Sequence, residues 1–295
     1  MKALIYQLNE WNPQMISTKY PAFPVESITQ KALDVWKLKA DEVLLIAATD
    51  ASIRAAENLN LAVAAYVNPA IPGQSYAGAG MVIEGFEEVD DVFLQRIYDR
   101  HYGLPWEIAR TDRCIIRELT LLDLPALEAL YQKEGVCWRR DAQGRKIPGF
   151  LEPLYEPEEE KRYQQAYISN MYRYYGYGMW LVFDKETQTL IGRAGIEHRE
   201  FPQTDKPSHE EPETAVELEL GYLIDPDWQG QGLAAEVCRA VLTFAREELE
   251  APWINALTDP ENKASLALLQ KLGFYYLEEM NVSGNRMLRY VCNFS

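Results

Sequence analysis

The pattern of apolar and polar positions divides the chain into two stretches of different style. Up to about residue 110, short apolar runs of strand length alternate with segments of helical composition. The runs are DEVLLIAAT (41–49), LAVAAYV (61–67) and MVIEGF (81–86), and the helical segments are SIRAAENLN (52–60) and the amphipathic EVDDVFLQRIYDRHYG (88–103). Strands alternating with helices predict a small Rossmann-like α/β unit with parallel strands. A Gly/Pro-rich loop, NPAIPGQSYAGAG (68–80), interrupts it, and RTDR (110–113) reads as the hinge that follows. From Cys114 the order changes. RCIIREL (113–119) reads as a strand and LLDLPALEALYQKEG (121–135) as a helix opened by Asp123; a variable region then runs through PEEEKRYQQAYISNMYRYYGYG (157–178). MWLVFDKETQTLIGRAGIEH (179–198) predicts two strands around a polar turn. AVELELGYLID (215–225) alternates apolar and acidic residues, as a strand with one buried face does. Ala234, Val237, Cys238, Val241, Leu242, Ala245 and Leu249 then recur at helical spacing. WINALTD (253–259) predicts another strand. In DPENKASLALLQKLGF (259–274), Asp259 suits the N-cap and Pro260 the first helical position, and FYYLEEM and RMLRYVCNF close the chain as strands.

Composition narrows the classes. At 295 residues, 47% hydrophobic and 25% charged, the chain suits two globular domains, expected at 1–110 and 111–295. No apolar run approaches membrane-spanning length, and the apolar core of MKALIYQLNEWNPQM is too short for a signal peptide, so a soluble, cytoplasmic protein without a membrane partner is expected. Cys114, Cys137, Cys238 and Cys292 form no CxxC pair, and only His101, His198 and His209 could join them, which argues against a disulfide framework and against a metal site. A net charge of −16 opposes nucleic acid, whose binding requires phosphate neutralisation. It fits a cationic acceptor and plain solubility equally.

The stretch LIDPDWQGQGLAAE (223–236) sets two glycines where the alternating strand gives way to a helix. A Walker A loop would need Gly-Lys-Ser/Thr, and Leu233 and Ala234 stand there instead. Gly230, Gly232 and Ala235 satisfy the dinucleotide G-x-G-x-x-G/A, yet that fingerprint follows a strand buried on both faces and precedes an acidic strand end about 20 residues on. The third reading is a pyrophosphate held by backbone N–H groups at a helix N-terminus, which needs neither lysine nor metal.

ELGYLIDPDWQGQGLAAE resembles the acyl-CoA-binding motif of the GNAT superfamily of N-acyltransferases, with Gln229, Gly232 and Ala234 meeting Gln/Arg-x-x-Gly-x-Gly/Ala. NKASLALLQKLGF (262–274) is similar to the helix that follows in the same family. The resemblance covers roughly residues 111–295 and is nearest to the ribosomal-protein-alanine-acetyltransferase branch. It implies a mixed, mostly antiparallel sheet flanked by helices and splayed beside acetyl-CoA. The pyrophosphate would lie on the amides of Gln229, Gly230, Gln231, Gly232, Leu233 and Ala234, the backbone of Leu223, Ile224 and Asp225 would meet the pantetheine arm, and Asn262 and Ser265 would lie along it.

Amine attack on a thioester needs a base, and Glu219 is the candidate, on the strand that feeds the loop, with Glu197 in GIEH sharing its role or binding the amine. His198 should point away from Glu197. A solvated face would account for Glu217 and Glu219 equally well. Many relatives carry a tyrosine that protonates the leaving thiolate where this chain has Leu269, leaving Tyr275 or a water to serve. Between Gly135 and Gly178, Tyr155, Tyr163, Tyr167, Tyr172, Tyr174, Tyr175 and Tyr177 with Glu156 and Glu158 to Glu160 would suit a cationic amine; a packed stripe of Tyr163, Tyr167 and Tyr174 beside a solvated glutamate run fits the same residues.

EVLLIAATDASIRAAENLNLAVAAYVNP (42–69) resembles the later part of a haloacid-dehalogenase-like fold. That family's D-x-D is absent before residue 110, and its acidic pair falls on Ala48 and Ser52, which implies a non-catalytic domain with Asp50 as the one residue still suited to a ligand. The expected function is acetyl-CoA-dependent transfer to a primary amine, on a small molecule or a peptide; a non-catalytic acyl-CoA or small-ligand binding protein is the alternative. Exposed edge strands would allow a homodimer.

Overall fold

A computed structural model describes residues 1–7, 18–87, 89–140, 143–202 and 214–294. The chain separates into two compact units, Met1–Trp106 and Glu107–Ser295. The first carries β1 (Ala3–Gln7), β2 (Ala22–Pro24), α1 (Gln30–Trp36), β3 (Val43–Ala47), α2 (Asp50–Asn58), β4 (Ala62–Tyr66), β5 (Met81–Ile83) and α3 (Asp91–His101). Its five strands are all parallel, in the order β2-β1-β3-β4-β5. Because helices cover both faces, the central strands are apolar throughout, and all five residues of β3 are buried. Ile5, Val43, Leu45 and Val63 pack with Leu33 of α1 and Ile53 of α2; Leu4, Leu44 and Ile46 pack on the other side with Leu94 and Ile97 of α3. The alternating reading above found β3, α2, β4, β5 and α3. It missed β1, whose ALIYQ is the innermost partner of β3, along with β2 and α1.

The second unit carries β6 (Glu107–Arg110), β7 (Cys114–Arg117), α4 (Leu124–Tyr131), β8 (Trp138–Arg140), β9 (Lys146–Pro148) and α5 (Pro157–Tyr167). A π-helical segment (Ile168–Tyr175) prolongs α5. Then come β10 (Met179–Asp184), β11 (Leu190–Pro202), β12 (Thr214–Ile224), α6 (Leu233–Glu247), β13 (Trp253–Thr258), α7 (Lys263–Lys271), β14 (Tyr275–Val282) and β15 (Asn285–Asn293). Eight strands form one sheet in the order β14-β15-β13-β12-β11-β10-β7-β6, antiparallel except for β12 with β13. The fold is therefore α/β, with a mixed, mostly antiparallel sheet here and a parallel sheet in the first unit. RTDR is the turn of the β6–β7 hairpin, so Glu107–Arg110 pair with the second sheet. No helix among the described residues is long and apolar enough to cross a membrane.

The amphipathic face foreseen for α6 is buried on the sheet, with Val237, Cys238, Val241 and Ala245 inaccessible. Trp180 of β10 meets Phe244 of α6 edge to face, with ring centroids 4.9 Å apart.

The parallel pair β12–β13 shares one register position, Glu219 with Asn255, and beyond it the strands part. Side chains pin that point. Asn255, fully buried, donates from Nδ2 to the Leu218 carbonyl (3.1 Å) and to Glu217 Oε2 (2.8 Å). Buried Arg289 of β15 donates from Nε to Asn255 Oδ1 (2.9 Å) and from a terminal nitrogen to Glu217 Oε2 (2.9 Å), and Trp253 Nε1 adds a third bond to the same oxygen (2.8 Å). The guanidinium also lies 4.0 Å from the Phe201 ring centroid. Glu217 is thus a structural anchor, where the alternating pattern admitted a solvated carboxylate.

Two consequences can be measured. Trp180→Ala should destabilise the fold by about 3–5 kcal/mol in denaturant unfolding followed by far-UV circular dichroism. Burial raises the Glu217 pKa, but Asn255, Trp253 and Arg289 outweigh it and hold the carboxyl below its usual range. A lowered folded pKa contributes stability above the unfolded value, lost as pH falls through the folded one. Glu217→Gln should therefore cost about 1.5–3 kcal/mol at pH 7, a difference that closes below pH ~4.5.

Candidate active site

The parting of β12 from β13 leaves one edge of β12 open, and the phase of its backbone decides which groups face the gap. In an antiparallel ladder successive residues direct their N–H and C=O groups to opposite neighbours. The Leu218 carbonyl accepts from Asn255 on the β13 side, and the Ile224 carbonyl accepts from Gln229 Nε2 (2.9 Å), so even-numbered residues point into the gap. Leu220, Tyr222 and Ile224 therefore present backbone there. Leu223 and Asp225 turn to β11, and the Asp225 N–H donates to the Ile191 carbonyl (2.8 Å). Of the three residues expected to offer backbone to a pantetheine arm, the alternation selects Ile224 and adds Leu220 and Tyr222. The Asp225 side chain is buried and accepts two bonds from Lys133 Nζ (2.9 and 2.7 Å) while capping the turn at Pro226–Trp228.

At the end of β12 the chain turns through Gln229 and Gly230 to Gly232, the N-cap of α6. Gly230 and Gly232 have φ of 75° and 80°, a left-handed conformation that costs other residues roughly 1–2 kcal/mol. The first-turn amides, Leu233 and Ala234 among them, have no preceding carbonyl within the helix, and the glycine cap offers no side-chain acceptor. Positive field and free donors converge on one spot, which suits an anion. Arg113, in the β6–β7 turn, braces this loop: it donates to the Gln231 carbonyl (2.9 Å) and to Glu236 Oε2 (2.8 Å), and Thr111 Oγ1 donates to the same carboxylate (2.6 Å).

Across the gap stands the start of α7. The helix begins at Lys263 with Asn262 as its cap, Oδ1 accepting from the Ser265 N–H (3.1 Å), which corrects the N-cap expected at Asp259. Asp259 instead closes the preceding turn, accepting from the Glu261 N–H (2.7 Å), and Pro260 lies in that turn. Ser265 Oγ sits 2.6 Å from the Tyr222 hydroxyl, tying α7 to β12. This hydroxyl pair was missed, although Tyr222 stands in the quoted ELGYLID. Leu269 is fully buried; Tyr275 lies half exposed on the outer strand β14, with β15 and β13 between it and β12, so it cannot serve a group in the gap.

Glu197 and Glu219 face each other in register on β11 and β12, so both carboxylates stand on one side of the sheet. Tyr167 of α5 donates to Glu197 Oε1 (3.0 Å), and Arg199 is paired with Glu219. Burial raises the Glu219 pKa; Arg199 lowers it and neighbouring Glu197 raises it further, with a net upward shift. Arg199 was missed, yet its spacing of two from Glu197 in GIEHRE puts it on the same face. His198 points to the other side, as the alternation required, and its ring packs at a tilt against that of Tyr175, with centroids 4.6 Å apart.

The tyrosine-rich region divides between the two readings it admitted. Tyr155, Tyr163, Tyr167 and Tyr172 form a chain of ring contacts, and the Tyr172 hydroxyl donates to the Met179 carbonyl (2.6 Å). The side chain of Tyr174 lies outside what the structure describes. Glu158 and Glu159 are exposed, but Glu160 is buried, accepting from Gln164 Nε2 (2.6 Å) and the Tyr155 N–H (3.1 Å). Among the described residues no group of three or more His, Cys, Asp and Glu is placed to hold a metal.

The chain is similar to several known proteins. The profile of the acetyltransferase (GNAT) domain matches residues 113–275. The uncharacterized protein YkkB of Bacillus subtilis is 31% identical over 102 residues, which is 35% of this chain and about half, 53%, of that protein. The uncharacterized N-acetyltransferase YoaA of the same organism is 28% identical over 167 residues, 57% of this chain and 82% of that protein. Among solved structures, the ribosomal-protein-S5-alanine acetyltransferase from Vibrio fischeri superposes with a TM-score of 0.45 at 15% identity, over 64% of this chain and 96% of that one. With its domain profile spanning more than half of the sequence, the chain belongs to the GNAT acetyltransferase family.

Proposed function

We propose that this protein is an acetyl-CoA-dependent N-acetyltransferase that acetylates a primary amine, on a small molecule or a peptide, by direct attack. The observation that carries the reading is the pairing of two carboxylates, Glu197 and Glu219, on a strand pair whose β12 member runs into a glycine loop and helix start beside an opened sheet edge. The open edge and the free amides fit the two polar parts of acyl-CoA. The first-turn amides of α6 with Gly230 and Gly232 would hold the pyrophosphate, and the backbone of Leu220, Tyr222 and Ile224 would hold the pantetheine, with Asn262 and Ser265 fixing the opposite wall. Bound there, acetyl-CoA supplies the thioester carbonyl to be attacked.

Glu219 removes the proton that an ammonium must lose before it is nucleophilic. Its raised pKa makes it a better proton acceptor than a free carboxylate, and Arg199 keeps it ionised and oriented. Glu197, held by Tyr167, binds the ammonium before that transfer. The two units are proposed to be separate domains, with the boundary expected at residue 110 moved to Trp106–Glu107 because β6 pairs with the second sheet. For the first we propose a non-catalytic, haloacid-dehalogenase-like unit. There Asp50, whose carboxylate accepts from the N–H groups of Ser75 (3.0 Å) and Tyr76 (2.8 Å), anchors the 75–76 loop.

Calorimetry with acetyl-CoA and thiol release across an amine panel test the reading. Glu219→Gln should lower kcat by about 10²- to 10⁴-fold while acetyl-CoA affinity is retained. In the wild type kcat/KM should climb with pH along an acid limb whose midpoint lies above the ~4.5 of a free carboxyl, because the base acts only when ionised. That limb should vanish in the variant. Tight acetyl-CoA binding without thiol release for any amine would instead favour a non-catalytic binding protein, the role that buried Leu269 leaves open.

A further inference from the structure

The glycine loop before α6 is gripped from a part of the chain far outside its own motif. Arg113, in the β6–β7 turn, stands 118 residues before Gln231 and 123 before Glu236, and it meets both. Its guanidinium lies beside the N-cap of α6, where a Cβ built on Gly232 would come 3.8 Å from Nη2. Nη1 donates to the Gln231 carbonyl (2.9 Å). Nε (2.8 Å), Nη2 (2.7 Å) and the Arg113 backbone N–H (2.9 Å) all reach the Glu236 carboxylate, which accepts from Thr111 as well.

A carboxylate in the first turn of α6 draws on the same helix field that a pyrophosphate would use. Burial raises the Glu236 pKa, but the bonds from Thr111 and Arg113 outweigh it and hold the group below its usual range, so the charge is present at neutral pH. Asp225 and Asp227 bring two more carboxylates to the end of β12, and Lys133 pairs with those. The ion-pair partner of Glu236 among the described residues is Arg113. Backbone geometry adds a second effect. The Gln231 carbonyl and the Gly232 N–H belong to one planar trans peptide and point in opposite directions. Gly232, without a Cβ, would let that peptide rotate and set a carbonyl oxygen where an anion needs a donor. By holding the carbonyl, Arg113 turns the Gly232 N–H the other way. Resting on the acetyltransferase reading, we propose that Arg113 is a positioning residue of the cofactor site, cancelling the Glu236 charge and locking the 231–232 peptide so that the helix start accepts the pyrophosphate of acetyl-CoA.

The test compares two acyl donors on the full chain, acetyl-CoA and S-acetylpantetheine, the second of which carries no phosphate. Arg113→Gln should raise the KM for acetyl-CoA about tenfold with kcat changed by less than about twofold, and should leave kcat/KM for S-acetylpantetheine within about twofold. A merely structural role would move both donors together. Adding Glu236→Gln to Arg113→Gln removes the uncancelled charge and should recover about threefold or more of the lost affinity. If Arg113→Gln melts well below the wild type, the same contrast is read with Arg113→Lys, which keeps a charge but cannot fork to Gln231 and Glu236 together; a loss of about threefold or more, confined to acetyl-CoA, is then expected. Equal losses with both donors, no loss with either, or a double variant as weak as Arg113→Gln overturns the proposal. Calorimetry with coenzyme A, which needs no turnover, keeps the two readings apart. Arg113-dependent affinity without acetyl transfer to any amine sinks the transferase reading alone, whereas transfer with a KM that ignores Arg113 sinks this proposal alone.

Discussion

The second unit depends on one buried polar cluster, the Glu217–Asn255–Arg289 triad at the last point where β12 and β13 touch. A parallel pair with a single register position has little ladder to hold it, and side chains supply what the backbone does not. Asn255 bridges to the Leu218 carbonyl in place of a strand bond, and Arg289 reaches across from β15 to hold both Asn255 and Glu217. Buried polar groups of this kind are tolerable only when their bonds are made, and here a single carboxylate oxygen accepts three. The strands can then separate from a fixed point. Because the gap begins there, the open edge of β12, the glycine loop and the cap of α7 all acquire their positions from it.

The same constraint gives two glutamates, two positions apart on one strand, opposite characters. Glu217 meets a buried guanidinium, an amide and an indole N–H, and is held ionised as scaffold. Glu219 meets one partly exposed guanidinium and another carboxylate in a more buried setting, and its pKa rises. Environment and not residue type separates the anchor from the candidate base. Tyr167 extends the distinction, because its hydroxyl both donates to Glu197 and accepts from the Met179 N–H (2.7 Å), fixing α5 to the sheet beside the carboxylates.

How far the sequence reached varies with the range of the interaction. The glycine loop before α6 was legible because its requirements are local: glycines where φ must be positive, small residues at a helix start, an alternating strand before it. A period of two put Glu217 and Glu219 on one face, whereas the register of β11 with β12 was needed to bring Glu197 to the same side. The cap of α7 was misplaced by three residues because Asp259–Pro260 is a good local signal and Asn262 an equally good one. Only the turn that draws Asp259 back on Glu261 decides between them. The π-helical continuation of α5 left no periodic mark that separates it from an α-helix.

The sequence by itself determined the parallel α/β character of the first unit, most of the succession of strands and helices in the second, the loop that suits an anion, and the family to which these motifs belong. Each depends on patterns a few residues long, where periodicity and backbone preference act directly. Tertiary structure alone decided that Glu217 is scaffold, that Arg199 attends Glu219, and that Tyr222 meets Ser265. Those contacts join residues 20 to 72 positions apart, or place side chains by how strands diverge and helices pack. Such distances are set by the closing of the sheet, which no short window of sequence contains.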